Sequence, residues 1–134
     1  MSKAPHSLPI RIYYEDTDAG GIVYHASYLR FAERGRTEML RDAGYDHAAL
    51  FKETGIGFAV VSMHIEYNAP ARLDDLLTIR SKITRIGGAS MEMQQDIYSE
   101  DRLLTEIKVT LVCIDSRLKP VKVPAGVRAI FERK

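Results

Sequence analysis

The sequence has little of several features that would mark out a class of protein. Cys113 is the one cysteine among 134 residues, which excludes an internal disulfide bond and is typical of a reducing compartment. Lysine and arginine number 19 against 18 aspartate and glutamate, so the formal net charge is only +1. A charge so close to zero gives no electrostatic basis for binding nucleic acid or an anionic membrane.

Long apolar runs are also missing. The first seven residues lack the apolar stretch of a secretion signal, and no window is long and uncharged enough for a transmembrane helix. We therefore expect a soluble, cytoplasmic protein with no integral membrane segment. No grouping of His, Cys and Asp has the spacing of zinc ligands, so we expect neither a metal nor a cofactor. Length and composition predict a single globular domain over residues 1–134.

The strongest helical signal covers residues 28–43. Apolar and small residues recur there at helical spacing, with Ser27 as the predicted N-cap and Gly44 just beyond the C-terminus. Gly35 falls in the middle, where glycine costs about 1 kcal/mol relative to alanine. A helix packed closely against a sheet would explain that cost. The predicted inner face consists of Tyr28, Phe31, Ala32, Gly35, Met39, Leu40 and Ala43.

Most of the remaining chain alternates with a period of two, which is typical of strands. We predict an edge strand in residues 9–15, a short helix at 46–53, and then long strands separated by tight turns, which require antiparallel pairing. The result is an α+β fold in which a strongly curved sheet of about five strands wraps one long helix. A last helix follows Pro124. The predicted inward residues are Ala59, Val61, Met63, Ile65 and Tyr67 in the first long strand and Val127, Ile130 and Phe131 in the last helix.

Directly before the long helix, an acid, two glycines and a histidine stand close together: Asp18, Gly20, Gly21 and His25. A helix N-terminus offers unpaired N–H donors and the positive end of a macrodipole. An acid beside such donors can activate water against a carbonyl, or attack it, while the donors stabilise the oxyanion. This pattern predicts hydrolysis of an activated acyl group.

Each of these residues also has a structural interpretation. Asp18 before glycine is ordinarily a turn residue, and His25 is a solvated side chain in the first helical turn. Asp16 is a competing carboxylate, to which we assign a structural role. Cys113 lies in a mostly apolar strand and is expected to be a buried small residue rather than a nucleophile.

Two blocks of sequence carry a resemblance to a known family. Residues 14–28, YEDTDAGGIVYHASY, and residues 33–38, ERGRTE, resemble the hotdog-fold acyl-CoA thioesterases. They are most similar to the bacterial enzymes associated with the Tol–Pal envelope system, which are relatives of 4-hydroxybenzoyl-CoA thioesterase. Residues 66–75 and 112–115 add support. The resemblance covers nearly the whole chain and implies a hotdog fold and metal-free hydrolysis of an acyl-CoA.

The same resemblance implies roles for individual residues. Asp18 is the expected catalytic carboxylate, acting as general base or as nucleophile, with Tyr14 and His25 as its polar neighbours. The backbone N–H of His25 is expected to polarise the thioester carbonyl. The other expected site residues are Gly21 and Tyr24 as backbone donors and Tyr28, Arg85 and Ser90 as substrate contacts.

The resemblance also implies an assembly and a substrate class. Such enzymes are dimers or dimers of dimers (homotetramers), with active sites at the subunit interface. Residues 85–90 contain a single cation, Arg85, where the hydroxybenzoyl branch has a basic run that grips the CoA phosphates. This departure leaves room for an acyl carrier protein as the donor, and we favour an aliphatic acyl group. The alternatives are a non-catalytic module that binds acyl thioesters or acyl carrier protein, and a hydratase on the same fold.

Overall fold

The computed structural model describes residues 5–132, except for the side chains of residues 130–132. Over this range a five-stranded antiparallel sheet has the strand order β1-β3-β4-β5-β2. One long helix, α1, packs against the face of the sheet that holds the core. The expected α+β architecture is therefore confirmed. Its elements are β1 (His6–Arg11), a 3₁₀ turn (Tyr14–Asp16), α1 (Ser27–Asp42), α2 (His47–Thr54), β2 (Gly57–Tyr67), β3 (Leu76–Ile86), β4 (Ser90–Ser99), β5 (Arg102–Ile114) and α3 (Ala125–Glu132).

The residue predicted to end α1 is correct, whereas the residue predicted to cap its start is not. The predicted C-terminal glycine is confirmed, because Gly44 follows the C-cap and has a φ of +99°, a backbone angle that favours glycine. The predicted N-cap is wrong. Ala26 is the N-cap, and Ser27 is the first helical residue, its hydroxyl accepting a hydrogen bond of 2.9 Å from Arg30. The helix thus begins without a side-chain cap, which leaves backbone donors free at its start.

Gly35 explains how closely α1 lies against the sheet. A Cβ at this position would come within 2.8 Å of Ile79 Cγ2 and 3.1 Å of Ser81 Oγ, both on β3. Ile79 and Ser81 are fully buried, so neither has room to withdraw. The expectation that the missing Cβ permits a close helix–sheet contact is confirmed.

The first strand is shorter and earlier than the predicted edge strand over residues 9–15. β1 ends at Arg11, and residues 14–16 form a 3₁₀ turn instead. The edge position itself is confirmed, since β1 pairs only with β3 in the described sheet. Pro9 fits there, because a residue without an N–H is tolerated where one side of the strand has no partner.

The predicted inward position of Val61 in β2 is wrong. Val60 pairs with Leu111 and Ser62 with Thr110, so Val61 is an extra residue in a bulge. Its side chain is 58% exposed. A bulge shifts the two-residue alternation, and the inward face of β2 therefore changes phase there. Before the bulge Phe58 packs against the core, and after it Met63 and Ile65 do.

The core has two parts, one under each half of α1. The first surrounds Tyr28 and Phe31, and the second surrounds Met39 and Leu40. Cys113 is fully buried in the second, as expected, and burial raises the pKa of its thiol to about 11. Val127 of α3 also faces this part, as predicted, whereas the side chains of Ile130 and Phe131 lie outside the described residues.

A buried polar network joins the two parts of the core. Gln95 is fully buried, and its amide nitrogen donates to Ala32 O at 2.8 Å and to Ser81 Oγ at 2.9 Å. Its amide oxygen accepts from Arg36 Nη1 at 3.1 Å. Because buried polar groups are costly unless they are paired, this network fixes α1 over the centre of the sheet.

Replacing Gln95 by leucine is expected to destabilise the protein by about 2 kcal/mol, although leucine is similar in size. The change leaves the Arg36 guanidinium and the Ala32 carbonyl buried without these partners, and an unpaired buried group costs more than an average hydrogen bond contributes. Urea denaturation would measure the free energy of unfolding. Gln94→Leu, on the opposite face of the same strand, is the control, and equal stability of the two variants would contradict the prediction.

No helix in the described part of the chain combines the length and the apolar composition that crossing a membrane requires.

Candidate active site

The loop from Thr17 to Ala26 is a tightly bonded structure at the N-terminus of α1. Asp18 N–H donates to Ile22 O at 2.9 Å, and Gly21 N–H donates to Asp18 O at 3.1 Å. Gly21 has a φ of +81°, so the turn requires the conformational freedom of glycine at this point. Val23 N–H then joins the loop to the segment before β3 by donating to Ala71 O at 2.8 Å.

The Asp18 carboxylate is exposed, and one of its two oxygens accepts a hydrogen bond from the described residues. Its Oδ1 accepts from Gly20 N–H at 2.8 Å, which is the turn interaction that an Asp before glycine usually makes. Its Oδ2 accepts no hydrogen bond from residues 5–132. The turn therefore fixes the orientation of the carboxylate and leaves one oxygen available.

Asp16 is committed to the loop itself, as expected of a structural residue. Its Oδ2 accepts from Tyr13 N–H at 2.9 Å, and its Oδ1 lies 3.5 Å from Arg30 Nη2. Its carbonyl accepts from Tyr24 N–H at 2.9 Å. The carboxylate of Asp16 thus holds the 3₁₀ turn against α1, whereas Asp18 has an oxygen to spare.

The three predicted backbone donors differ in availability. Gly21 and Tyr24 both donate their N–H groups within the loop. His25 N–H, two residues before α1, donates to no acceptor that the structure describes. It also lies at the positive end of the helix macrodipole. Of the three, His25 is therefore the donor that the structure leaves free for a substrate oxygen.

The position of His25 is fixed by a residue that the sequence did not single out. Tyr67, the last residue of β2, donates its hydroxyl to His25 O at 2.9 Å. The Tyr67 ring packs edgewise on the ring of Tyr28, with 5.5 Å between centroids. From the sequence, Tyr67 was expected on the inward face of the first long strand and lay in the family-like block of residues 66–75, without a role at the site; it is instead 47% exposed. The His25 side chain is exposed and lies beside Tyr24, with ring centroids 4.5 Å apart.

The two predicted tyrosines, Tyr14 and Tyr28, differ in their exposure to solvent. Tyr14 is 82% exposed in the 3₁₀ turn, while Tyr28 is 2% exposed beneath the loop. The Tyr28 hydroxyl accepts from Ala71 N–H at 3.0 Å, and burial raises its pKa. Tyr28 thus supports the backbone below the site, and its contact with a substrate stays a prediction.

Arg85 and Ser90 lie far from Asp18 within one chain. The loop adjoins the start of β3, and Arg85 is nine residues further along that strand, which corresponds to about 30 Å. Arg85 Nη1 is 3.3 Å from Glu92 Oε2. A single chain therefore does not bring these two residues together with the carboxylate.

Within residues 5–132, no three His, Cys, Asp or Glu side chains are close enough to hold a metal ion. The chemistry available at the loop is that of an exposed carboxylate, a free backbone N–H and several exposed aromatic rings. Besides Tyr14, the exposed tyrosines of this region are Tyr13, Tyr24 and Tyr67.

Comparison with known proteins shows which family the chain belongs to. A family model described as the thioesterase-like superfamily matches residues 13–131. The chain belongs to this family. It is 49% identical to the acyl-CoA thioester hydrolase YbgC of Escherichia coli over 127 residues, which are 93% of this chain and 94% of that protein. It is 41% identical to the acyl-CoA thioesterase YbgC of Haemophilus influenzae, over 93% of each chain.

Solved structures agree. A probable thioesterase from Bartonella henselae is 40% identical and superposes with a TM-score of 0.87, over 90% of this chain and 100% of that one. A protein from Aquifex aeolicus at 23% identity, with a TM-score of 0.90 over 96% of this chain and 100% of that one, shows the shared fold alone. The expected hotdog fold and membership of the thioesterases are confirmed.

Proposed function

We propose that this protein hydrolyses aliphatic acyl-CoA to the free acid and CoA at the loop around Asp18, in the cytoplasm. The observation that carries the proposal is the coexistence, in one hydrogen-bonded loop, of a carboxylate oxygen and a helix-start N–H that both lack partners among the described residues. The curated relatives named as acyl-CoA thioesterases support the substrate class.

The proposed chemistry uses only groups of the protein. His25 N–H donates to the thioester oxygen and stabilises the negative charge that develops there, with help from the α1 dipole. Asp18 either removes a proton from the water that attacks the carbonyl, after which the C–S bond breaks and CoA leaves as the thiolate, or attacks the carbonyl itself, which expels the CoA thiolate and leaves a transient anhydride that water then opens. A thioester is electrophilic enough that one acid and one or two oriented donors can suffice.

We also propose that the working enzyme is a dimer or a dimer of dimers, with its active sites between subunits. β2 is an edge strand with unpaired backbone groups, and its Val60 and Val61 are 47% and 58% exposed. Exposed edges and apolar patches are typical of association surfaces. A second, antiparallel copy would bring its Arg85 end toward the Asp18 end of the first.

Val61→Asp is expected to weaken this dimer at least tenfold and to reduce hydrolysis in proportion to the loss of dimer. The reason is that an unpaired charge would be buried at the edge of β2. Sedimentation velocity and activity are measured over the same range of concentration. Leu118→Asp, which alters a residue 76% exposed in the turn after β5, is the matched control. A fully dimeric Val61→Asp variant would contradict the proposed interface.

The proposed reaction is tested by thiol release from acyl-CoA substrates that range from butanoyl to palmitoyl, with benzoyl-CoA included. We expect turnover of the aliphatic series and little turnover of benzoyl-CoA. The same acyl groups on acyl carrier protein test the alternative donor. Tight binding of every thioester without thiol release would favour the non-catalytic binding module and overturn the proposal.

A further inference from the structure

Tyr67 reaches the loop around Asp18 from a fixed position at the end of β2. Its backbone pairs with Thr105 of β5. The next two residues, Asn68 and Ala69, both donate their N–H groups to Leu104 O, at 2.8 and 3.2 Å. The backbone that carries the Tyr67 side chain is therefore bonded to the neighbouring strand before and after the point where the chain leaves the sheet.

The acceptor of the Tyr67 hydroxyl is a carbonyl at the start of α1. His25 directly precedes Ala26, the N-cap. In a regular α-helix an N–H donates to the carbonyl four residues earlier, so Leu29 N–H would donate to His25 O. It donates instead to Ala26 O, at 3.2 Å. The Tyr67 hydroxyl, at 2.9 Å, thus supplies to His25 O the donor that the first turn of the helix directs elsewhere.

The two peptide groups on either side of the His25 Cα are both held by hydrogen bonds. The group before it contains Tyr24 C=O and His25 N–H, which point in opposite directions in a planar trans peptide. Tyr24 O accepts from Ser27 N–H at 2.8 Å, so His25 N–H points away from Ser27. The group after it contains His25 C=O, which Tyr67 holds. The direction of the free N–H is therefore set before a substrate arrives.

The ring of Tyr67 is also held in place. It packs edgewise on the ring of Tyr28, with the ring planes at 70° and the centroids 5.5 Å apart. Tyr28 is buried and accepts from Ala71 N–H, so it offers a fixed surface. Partial burial raises the pKa of Tyr67, and the phenol therefore keeps its proton and remains a hydrogen-bond donor at neutral pH.

We propose that Tyr67 is a positioning residue for hydrolysis, which keeps His25 N–H aimed at the thioester oxygen through its own bond to His25 O. This role rests on the proposed function, in which that N–H stabilises the developing oxyanion. Such a donor accelerates the reaction because it is oriented before the charge develops, and one oxyanion donor is worth about 10²–10³ in kcat. Tyr67 acts through His25 and not on the reacting atoms, so its loss should remove part of this contribution rather than all of it.

Tyr67→Phe removes the hydroxyl and keeps the ring on Tyr28. At a position 47% exposed, the change is expected to leave the protein folded. We expect kcat for acyl-CoA hydrolysis to fall about 10- to 100-fold, because a displacement of about 1 Å at a catalytic group can cost about 10²-fold. KM should change by less than about twofold, since the bond matters most once the thioester oxygen becomes charged.

Tyr98→Phe is the matched control. It also removes a phenol hydroxyl near the end of a strand, but on the face of the sheet opposite α1, where the Tyr98 ring lies 4.1 Å from the Arg80 guanidinium. This variant should hydrolyse acyl-CoA at the unmodified rate.

The outcomes separate this inference from the proposed function. Hydrolysis by the unmodified protein, with an unchanged kcat in Tyr67→Phe, would overturn the inference and leave the proposed function intact. A lower melting temperature with an unchanged kcat of the folded variant would show a structural role only, and would overturn it equally. No thiol release by the unmodified protein would refute the proposed function, and the positioning role with it.

A spectroscopic measurement tests the contact without turnover. The carbonyl-carbon NMR resonance of His25 should move upfield when the hydrogen bond to its oxygen is lost. We expect that shift in Tyr67→Phe and not in Tyr98→Phe. An unchanged His25 carbonyl resonance in Tyr67→Phe would contradict the contact on which the inference depends.

Discussion

Asp18→Asn is expected to lower the rate of acyl-CoA hydrolysis by about 10²–10⁴-fold without unfolding the protein, because this is the range that a positioned acid or base contributes. Asparagine keeps a side-chain oxygen, so the bond from Gly20 N–H to position 18 can persist. What is lost is the negative charge and the basic second oxygen. Thiol release at saturating substrate measures the effect, and the loss should fall on kcat rather than on KM.

The control for this prediction is Asp16→Asn, two residues away in the same loop. The Asp16 carboxylate already accepts a hydrogen bond from Tyr13 N–H and pairs with Arg30. Its replacement should therefore change the stability slightly and lower the rate by far less than Asp18→Asn does. Thermal unfolding establishes that both variants are folded. Full activity in Asp18→Asn, or a larger loss in Asp16→Asn, would remove Asp18 from the mechanism.

Elements set by local chemistry were predictable from the sequence. Asp46 caps α2 by accepting from Ala48 N–H at 2.9 Å, and Gly55 ends it with a φ of +75°, close to the predicted range of 46–53. The sheet order was not predictable in the same way, because pairing depends on residues far apart in the chain. The bulge at Val61 shows this, since a residue that alternates correctly in sequence has no partner on β5.

The candidate site likewise has features that the sequence predicts and features that depend on the folded structure. The sequence located the loop and its carboxylate, but it could not tell which N–H groups the loop uses for itself. Tyr24 N–H is taken by Asp16 O, eight residues earlier, and only the folded loop reveals that His25 N–H is left over. The burial of Gln95 could have been predicted from the sequence, because in the two-residue alternation of β4 it falls on the same face as Met93 and Ile97.

Gly35→Val is expected to destabilise the protein by about 3 kcal/mol, at the upper end of what overpacking a core costs. The first added carbon would lie 2.8 Å from Ile79 Cγ2 and 3.1 Å from the Gln95 amide nitrogen. Relief requires α1 to move outward, which lengthens the hydrogen bond from Gln95 to Ala32 O. Urea denaturation measures the loss, and a lowered midpoint with an unchanged m value is the expected form.

The sign of the effect of Gly35→Ala decides whether close packing is the reason for glycine here. In an exposed helix this change stabilises by about 1 kcal/mol. At Gly35 we expect net destabilisation, because the same Cβ meets Ile79 and Ser81, which are fully buried and cannot withdraw. Gly57→Ala is the control, since a Cβ there meets nothing within 4 Å. A stabilised Gly35→Ala variant would show that α1 has room to move, and then the position of the loop at its N-terminus would not depend on this contact.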